Sequence, residues 1–594
     1  MSSQSETASQ NTNKDLDQPS ASDTKIGSQS QSEYDCTEKK DVPSASAPSN
    51  PDPEAEQQQC RKRKPLSFFL AFIALLLMVF LVSLDSTTLA VAIPVNIPTC
   101  RDPSTNQLTY LFSLNRLTSD LSGTTLTAFW ANISFTVAVV VIQPIYISFS
   151  DIFGRKIPLY RAFTLFAIGS IVFSVAHSMA VLIVGRVLQG LGGGGLDVLT
   201  EVIVADITTL QERAIYIGLL SLPMAAGCIA GPILGAVFSE YVTWRWIGWI
   251  NLPVIGVAFF LAFFFVRLKP IDQSLRSQLS RIDWFGMLLF TAGSILFALP
   301  LSWAGNMYPW GSWRTIVPLI IGIFILVGFA FYEAYPADAM FPYRIFRSRT
   351  AQMTLLGSST HGFVLYTLLQ YLSFFSQAAY LETPLKSSIS ILLFCCVVYV
   401  FTGIAAFAVD VLRRYKWEIW AGWVFLAVGC GIFSPWDQSS SVAKTAGFQV
   451  IAGIGIGTIF SVPPIPMQAS AAAEDQGLAR GIMVGFRLSG SLIGLAVGGT
   501  TFSSVFAKGI DGIALPASVA LLADPSEAVG FIPHLRTVDI PPALRVLIKE
   551  AYKNAMQTIW YEMAAFGALG FLSSLFIEEL TMETEEMGRQ HYEH

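Results

Sequence analysis

Beyond residue 65 the chain alternates long apolar runs with short polar gaps, and each run approaches the roughly 20 residues that a membrane-crossing helix requires. Such windows lie near residues 66–94, 126–147, 158–178, 180–205, 215–238, 246–267, 283–303, 315–334, 352–376, 388–409, 418–434, 446–467, 482–507 and 556–577. They are far too long for barrel strands, and in lipid a helix satisfies its own backbone polar groups. The pattern predicts an all-α membrane protein with about 14 transmembrane helices.

The polar gaps are not equivalent. After the basic run Arg61, Lys62, Arg63 and Lys64, alternate gaps hold Arg155, Lys156, Arg213, Lys269, Arg276, Arg281, Arg344, Arg347, Arg413, Arg414 and Arg480. The intervening gaps hold little beyond Arg101, Arg116, Arg245, Arg314, Lys386 and Lys444. Because cations accumulate on the cytoplasmic side, the first set and both termini are predicted to lie inside. Residues 508–555 form a predicted extracellular loop despite Arg536, Arg545, Lys549 and Lys553, since long loops obey the rule weakly.

Composition narrows the class further. With 53% hydrophobic and 13% charged residues and a mean hydropathy of +0.53, a soluble globular chain is excluded. Residues 1–64 are the exception: rich in Ser, Gln, Asp, Glu and Pro, they read as a disordered cytoplasmic tail with no cleaved signal peptide. Residues 579–594 read as a second, short cytoplasmic tail. The seven cysteines show neither a disulfide framework nor metal spacing, and the five histidines are scattered, so no metal site and no cofactor are expected. The glycines of GLGGGG at 190–195 fit a dinucleotide fingerprint only formally, because they lie within an apolar run with no preceding strand.

The sequence also repeats. Arg213, Gly218, Gly227 and Gly231 recur 267 positions later as Arg480, Gly485, Gly494 and Gly498, and Gly190, Gly192 and Gly194 recur 263 later as Gly453, Gly455 and Gly457. Asp151 and Arg155 have a degenerate echo in Asp410 and Arg414. A stable offset across separated segments predicts two homologous six-helix halves, at 65–268 and 351–578, with two inserted helices and their linkers at 269–350.

These residues carry a family resemblance. SFSDIFGRK at 148–156 resembles the loop signature between spans two and three of the major facilitator superfamily, and GRVLQGLGGGG at 185–195 occurs in the span-four position. The string Gly218, Gly227, Gly231, Pro232 and Gly235 resembles that superfamily's span-five antiporter signature, and LDSTTLAVAIP at 84–94 is similar to that of its fourteen-span drug:proton antiporter family. Two positions depart from the loop signature: Ile147 stands where a glycine is usual and Ile152 where a basic residue is usual. The resemblance implies the major facilitator fold and a secondary transporter resembling fungal multidrug and toxin efflux pumps, not an enzyme.

Ionisable groups within spans are costly and are therefore candidates for function. Asp85 and Arg186 fall at similar depth in the outer half and form a candidate proton-coupling pair, with a static packing pair as the alternative. Asp151, Gly154, Arg155 and Lys156 read as a charged clasp on the cytoplasmic face, or more simply as a loop that fixes topology. The span-five glycines and Pro232 suit a hinge or seal between helices, or ordinary close packing. Trp130, Asn132, Gln143, Gln189, Asp197, Glu201 and Gln377 are candidates for a mixed apolar substrate cavity, in which Asp197 and Glu201 share a helix face and would attract a cationic group. Asp206 and Glu212 are assigned to the membrane interface.

The combined reading is a monomeric, multi-pass plasma-membrane exporter of amphipathic small molecules in exchange for protons, with the lipid bilayer as surroundings and no nucleic-acid partner. A vacuolar carrier of basic amino acids or iron chelates with the same fold is the nearest alternative. A nutrient sensor that does not transport is the alternative from another class.

Overall fold

The computed structural model describes residues 64–92, 125–268, 275–304, 308–336, 339–436, 440–525 and 528–581. The tail assigned to residues 1–64 lies outside them except for Lys64, and the closing tail is described only to residue 581.

The apolar windows fold as long helices. In chain order these are α1 (Leu66–Ala92), α2 (Thr125–Phe153), α3 (Lys156–Ser174), α4 (Met179–Ile207), α5 (Leu210–Tyr241), α6 (Asn251–Phe265), α7 (Trp284–Trp303) and α8 (Trp313–Tyr332). They continue with α9 (Arg349–Ala379), α10 (Leu392–Leu412), α11 (Lys416–Gly431), α12 (Val442–Ser461), α13 (Gln476–Ile510) and α14 (Pro542–Ser574). Polar gap residues set several of their starts: Ser178, Asp283 and Ser441 each cap a first turn by accepting a backbone N–H. The outer faces stay apolar, as at Phe260, Phe264, Phe324 and Phe331 on α6 and α8, which is the surface a lipid solvent requires.

Two six-helix halves and two inserted helices result. Helix α1 packs on α5 as α9 packs on α13, α3 on α4 as α11 on α12, and α2 on α4 as α10 on α12. The repeated glycines make these contacts. A Cβ at Gly192 would stand 2.4 Å from the backbone N of Phe166, and one at Gly455 would stand 2.3 Å from that of Leu426. Only a residue without a side chain lets α4 approach α3, and α12 approach α11, this closely. The halves meet through α5 against α10 and through α13 against α2 and α4, while α7 and α8 pair with each other and α7 touches α2 and α13.

Several boundaries differ from the sequence reading, α13 for one opening at Gln476 rather than 482, and two further shifts also carry charged residues onto helices. Helix α2 runs to Phe153, past the predicted end at 147, so SFSDIF forms its last turns and only Gly154 and Arg155 connect it to α3. Helix α14 begins at Pro542, well before 556, so Arg545, Lys549 and Lys553 lie on its first turns. In both cases the helix continues beyond its apolar stretch, and hydropathy reports only the stretch. The segment between α13 and α14 has a short helix of its own, Ala528–Leu535, held to α14 by the Tyr552 hydroxyl donating to Ala528 O.

The inserted pair carries a buried carboxyl just past the end of α8. Glu333 accepts the Phe341 N–H on one oxygen, and its second oxygen is buried with no hydrogen-bond partner among the described residues. Burial pushes its pKa from 4.5 up to about 7, against the pull of the Phe341 N–H. The folded protein therefore binds a proton that the unfolded chain releases between those values, so stability is full below pH 4.5 and is lost as pH rises through about 7. Thermal melts of Glu333→Gln should lose this pH-dependent portion and gain on the parent at pH above 7. An equal loss of stability on both sides of that range would show instead that the charge itself holds the segment.

Candidate functional site

Three polar constellations stand out, the first wholly within the N-terminal half. The first is in the half of α1 remote from the cation-rich end. Asp85 receives Arg186 Nη1 at 2.6 Å on one carboxylate oxygen, and Asn251 Nδ2 at 2.7 Å and Gln189 Nε2 at 3.2 Å on the other. Gln189 accepts from Arg186 Nη1 at 3.0 Å and donates to Ser170 Oγ at 3.1 Å. Asp85 is 1% exposed and Arg186 is 0% exposed. The guanidinium lies 4.3 Å from the centre of the Phe135 ring, while its Nε and Nη2 have no hydrogen-bond partner among the described residues. The Asp85 carboxylate thus meets donors from both α4 and α6, the cationic one at the shortest distance.

The span-five glycines set the spacing at this depth. A Cβ at Gly227 would stand 2.8 Å from Leu84 N, and one at Gly231 would stand 2.0 Å from Thr87 Oγ1, so α5 lies against the turn of α1 that carries Asp85. Gly235 meets Thr88 in the same way, and Gly218 meets Ala406 of α10 in the opposite half. The side chain of Pro232 lies outside the described residues.

The second constellation closes the cation-rich end. Gly154 takes φ +83°, a left-handed turn open to glycine, and it places Arg155 back against α2 and α4. Arg155 binds Asp151 at 2.5 Å, Asp206 at 2.8 Å and Ser150 Oγ at 2.6 Å. Burial alone would lower its pKa, but Asp206 and Asp151 outweigh burial and hold it above its ordinary value. Asp206, assigned to the interface from sequence, is instead buried, because Arg155 neutralises it. Lys156 opens α3 half-buried, and Glu212 pairs with Lys64.

This end also joins the halves. Arg213 of α5 donates to Gln476 Oε1 at the start of α13 at 2.7 Å, and Arg155 lies beside Gly477 on the next residue. The two departures from the loop signature have local explanations. Ile147 fills the space that Gly481 leaves on α13, where a Cβ would stand 2.4 Å from Ile147 Cδ1. Ile152 is buried with Ile282, Met287, Phe329 and Met340, so apolar packing on the inserted helices replaces a charge contact.

Between the two ends lies a cavity of about 130 Å³ lined by both halves. Its wall includes Phe135 and Val139 from α2, Asp197 and Glu201 from α4, and Tyr366, Phe460 and Arg487 from the second half. Gln143 donates to Asp197 at 2.9 Å from behind the wall. Glu201 accepts Arg480 Nη2 at 2.7 Å and Nε at 2.9 Å, an ion pair across the halves.

Of the proposed cavity residues, Asp197 and Glu201 line this space and Gln143 supports it. Gln189 belongs to the Asp85 constellation, Trp130 packs on Trp303 of α7 at 5.6 Å, and Gln377 lies elsewhere on α9. The side chain of Asn132 lies outside the described residues. Sequence reading overlooked Arg487 and Asn251, and it left Arg480 among the loop cations although the structure buries it at Glu201. A signal for Arg487 was present: it is a lone cation inside the window at 482–507.

Two helical halves around a largely apolar cavity with a few charged groups, joined by the Glu201–Arg480 pair and the Arg213–Gln476 bond, have the build of a membrane transporter. Residues 75–495 match the Major Facilitator Superfamily. The chain is 43% identical over 536 residues to the MFS-type transporter sphD of Aspergillus fumigatus, covering 89% of each chain. It is 30% identical over 550 residues to the efflux pump FUS6 of Gibberella moniliformis, covering 92% of each. The solved structure of the proton:xylose symporter XylE shares the fold, with a TM-score of 0.51 at 12% identity over 87% of this chain and 98% of that one. The chain belongs to the major facilitator superfamily, and it is a multi-pass membrane transporter of small molecules rather than an enzyme.

The Glu201–Arg480 pair makes a direct prediction. Glu201→Gln strands the buried Arg480 guanidinium and should cost roughly 3–5 kcal/mol, whereas Glu201→Gln with Arg480→Gln should recover most of that loss. Thermal unfolding in detergent reads the difference. A double variant as unstable as the sum of both single variants would show that the two groups do not act as a pair.

Proposed function

We propose that the chain exports an amphipathic small molecule in exchange for protons, with Asp85 as the proton carrier and Arg186 as its counter-charge. The observation that carries this reading is the position of the Asp85 constellation directly behind the cavity wall. Phe135 presents its ring to the Arg186 guanidinium and also lines the cavity, and Ser83 and Ser86, which flank Asp85 on α1, line it too. An event at Asp85 therefore has a short physical route to the bound molecule, through one ring and one helix turn.

In this reading a proton arriving at Asp85 weakens its bond to Arg186 and lets α1 shift against α5 along the glycine contacts. The clasp at the cation-rich end, taken as cytoplasmic, holds the halves shut there through Arg155, Asp206 and Arg213. Opening it in the alternate state breaks the Arg213–Gln476 bond. The relatives support the direction, since one is named an efflux pump. The apolar cavity wall supports an amphipathic cargo. The plasma membrane is the proposed location and a single chain the working unit.

Reconstituted vesicles with an imposed pH gradient test the coupling, with fluorescent amphiphiles of differing charge as cargo. Asp85→Asn should lower gradient-driven transport by about 100-fold, within the span usual for a lost proton-transfer group, while leaving exchange of labelled for unlabelled cargo in place. Asp85→Asn with Arg186→Gln should be no worse than Asp85→Asn alone, because the two act as one unit. Equal gradient-driven rates for Asp85→Asn and parent would place the proton site elsewhere, with Asp197 the next carboxylate to replace.

A further inference from the structure

We infer that Arg487 is the seat for an anionic group on the transported molecule, and that the cargo class is therefore an amphipathic carboxylic acid. The inference rests on the export reading above and names its substrate. Arg487 lies on α13, is 7% exposed and contributes to the cavity wall. Its guanidinium stacks 4.4 Å from the centre of the Phe460 ring, and it makes no hydrogen bond or ion pair among the described residues.

The two carboxylates of the cavity differ in how they are held, and neither hydrogen-bonds Arg487, although Asp197 attracts it across the cavity. Glu201 is held by two nitrogens of Arg480, and Asp197 is hydrogen-bonded to Gln143 and makes no ion pair with Arg487. His361, buried nearby against the same Phe460 ring, bonds Ile456 O through Nε2 and supplies no anion. Glu201 is thus neutralised from within, and Asp197 is held by a neutral amide. Arg487 is the cation of this wall that no carboxylate touches.

A cavity-lining guanidinium with no hydrogen-bond partner leaves its donors open to a ligand that completes them. Its planar fork matches a carboxylate through two parallel hydrogen bonds, and the Phe460 ring below leaves the fork edge as the binding direction. Val79, Val139 and Leu220 provide an apolar surface for the remainder of the cargo, while the Ser491 hydroxyl, one turn along α13, donates to Leu488 O.

The test is equilibrium binding to the full chain in lipid nanodiscs, read by tryptophan fluorescence, with naphthylacetate, its neutral amide and naphthylethylamine as probes. Naphthylacetate should bind about 10-fold or more tightly than either of the others, as expected when a charged site is left uncompleted. Arg487→Gln should erase that preference and Arg487→Lys should restore part of it. Thermal melts of Arg487→Gln show whether the variant is folded, so a lost preference in protein that melts like the parent reads the site and not the fold. Tighter binding of the amine, an unchanged preference in Arg487→Gln, or no measurable binding of naphthylacetate would each overturn the assignment. Binding needs no gradient and reports no direction, so this result and the failure of proton-driven export are separately readable.

Discussion

A charge inside a membrane bundle has no water to turn to, and its partner must come from another helix. This constraint organises the transporter. Asp85 on α1 is matched by Arg186 on α4 and Asn251 on α6, Asp206 on α4 by Arg155 at the start of α3, and Glu201 on α4 by Arg480 on α13. The helices that supply these partners are therefore tied at fixed depths, and the last of the pairs crosses between the halves. Glycines at the helix contacts then permit the approach that the ion pairs require, as at Gly227 and Gly231 against the Asp85 turn.

The same constraint separates structure from function. A charge whose partner lies within the bundle stabilises a particular arrangement, and a charge without one marks a place where something else must bind. Asp85 sits between these cases. It has several donors, but Arg186 keeps two nitrogens unsatisfied, so the constellation is incomplete on the cation's side and open to rearrangement. Phe135 joins this buried site to the cavity, which gives proton exchange and cargo binding a shared wall.

Much of the architecture was legible in the sequence because lipid simplifies it. Apolar windows marked the helices, and the glycine offsets of 263 and 267 marked the two halves, since close helix contacts recur wherever the fold repeats. What hydropathy hid were the polar extensions of α2 and α14, where the helix outlasts its apolar run. The site was less legible. Asp85 and Arg186 were found from depth alone, but Gln189 looked like a cavity residue because the sequence cannot say which face of α4 meets α1. Arg480 looked like a loop cation because its partner Glu201 lies 279 positions away. Arg487 was visible by the same rule that identified Asp85, as a cation inside the window at 482–507.

The claim on which the account turns is that cargo and proton compete through the Asp85 constellation. Proton release on cargo binding, followed with a pH-sensitive dye in weakly buffered detergent solution, addresses it without a membrane or a gradient. The account predicts that the parent protein releases protons when an exported amphiphile binds and that Asp85→Asn binds the same amphiphile without release. Equal release from the two proteins, or binding by the parent with no release at any pH, would contradict it.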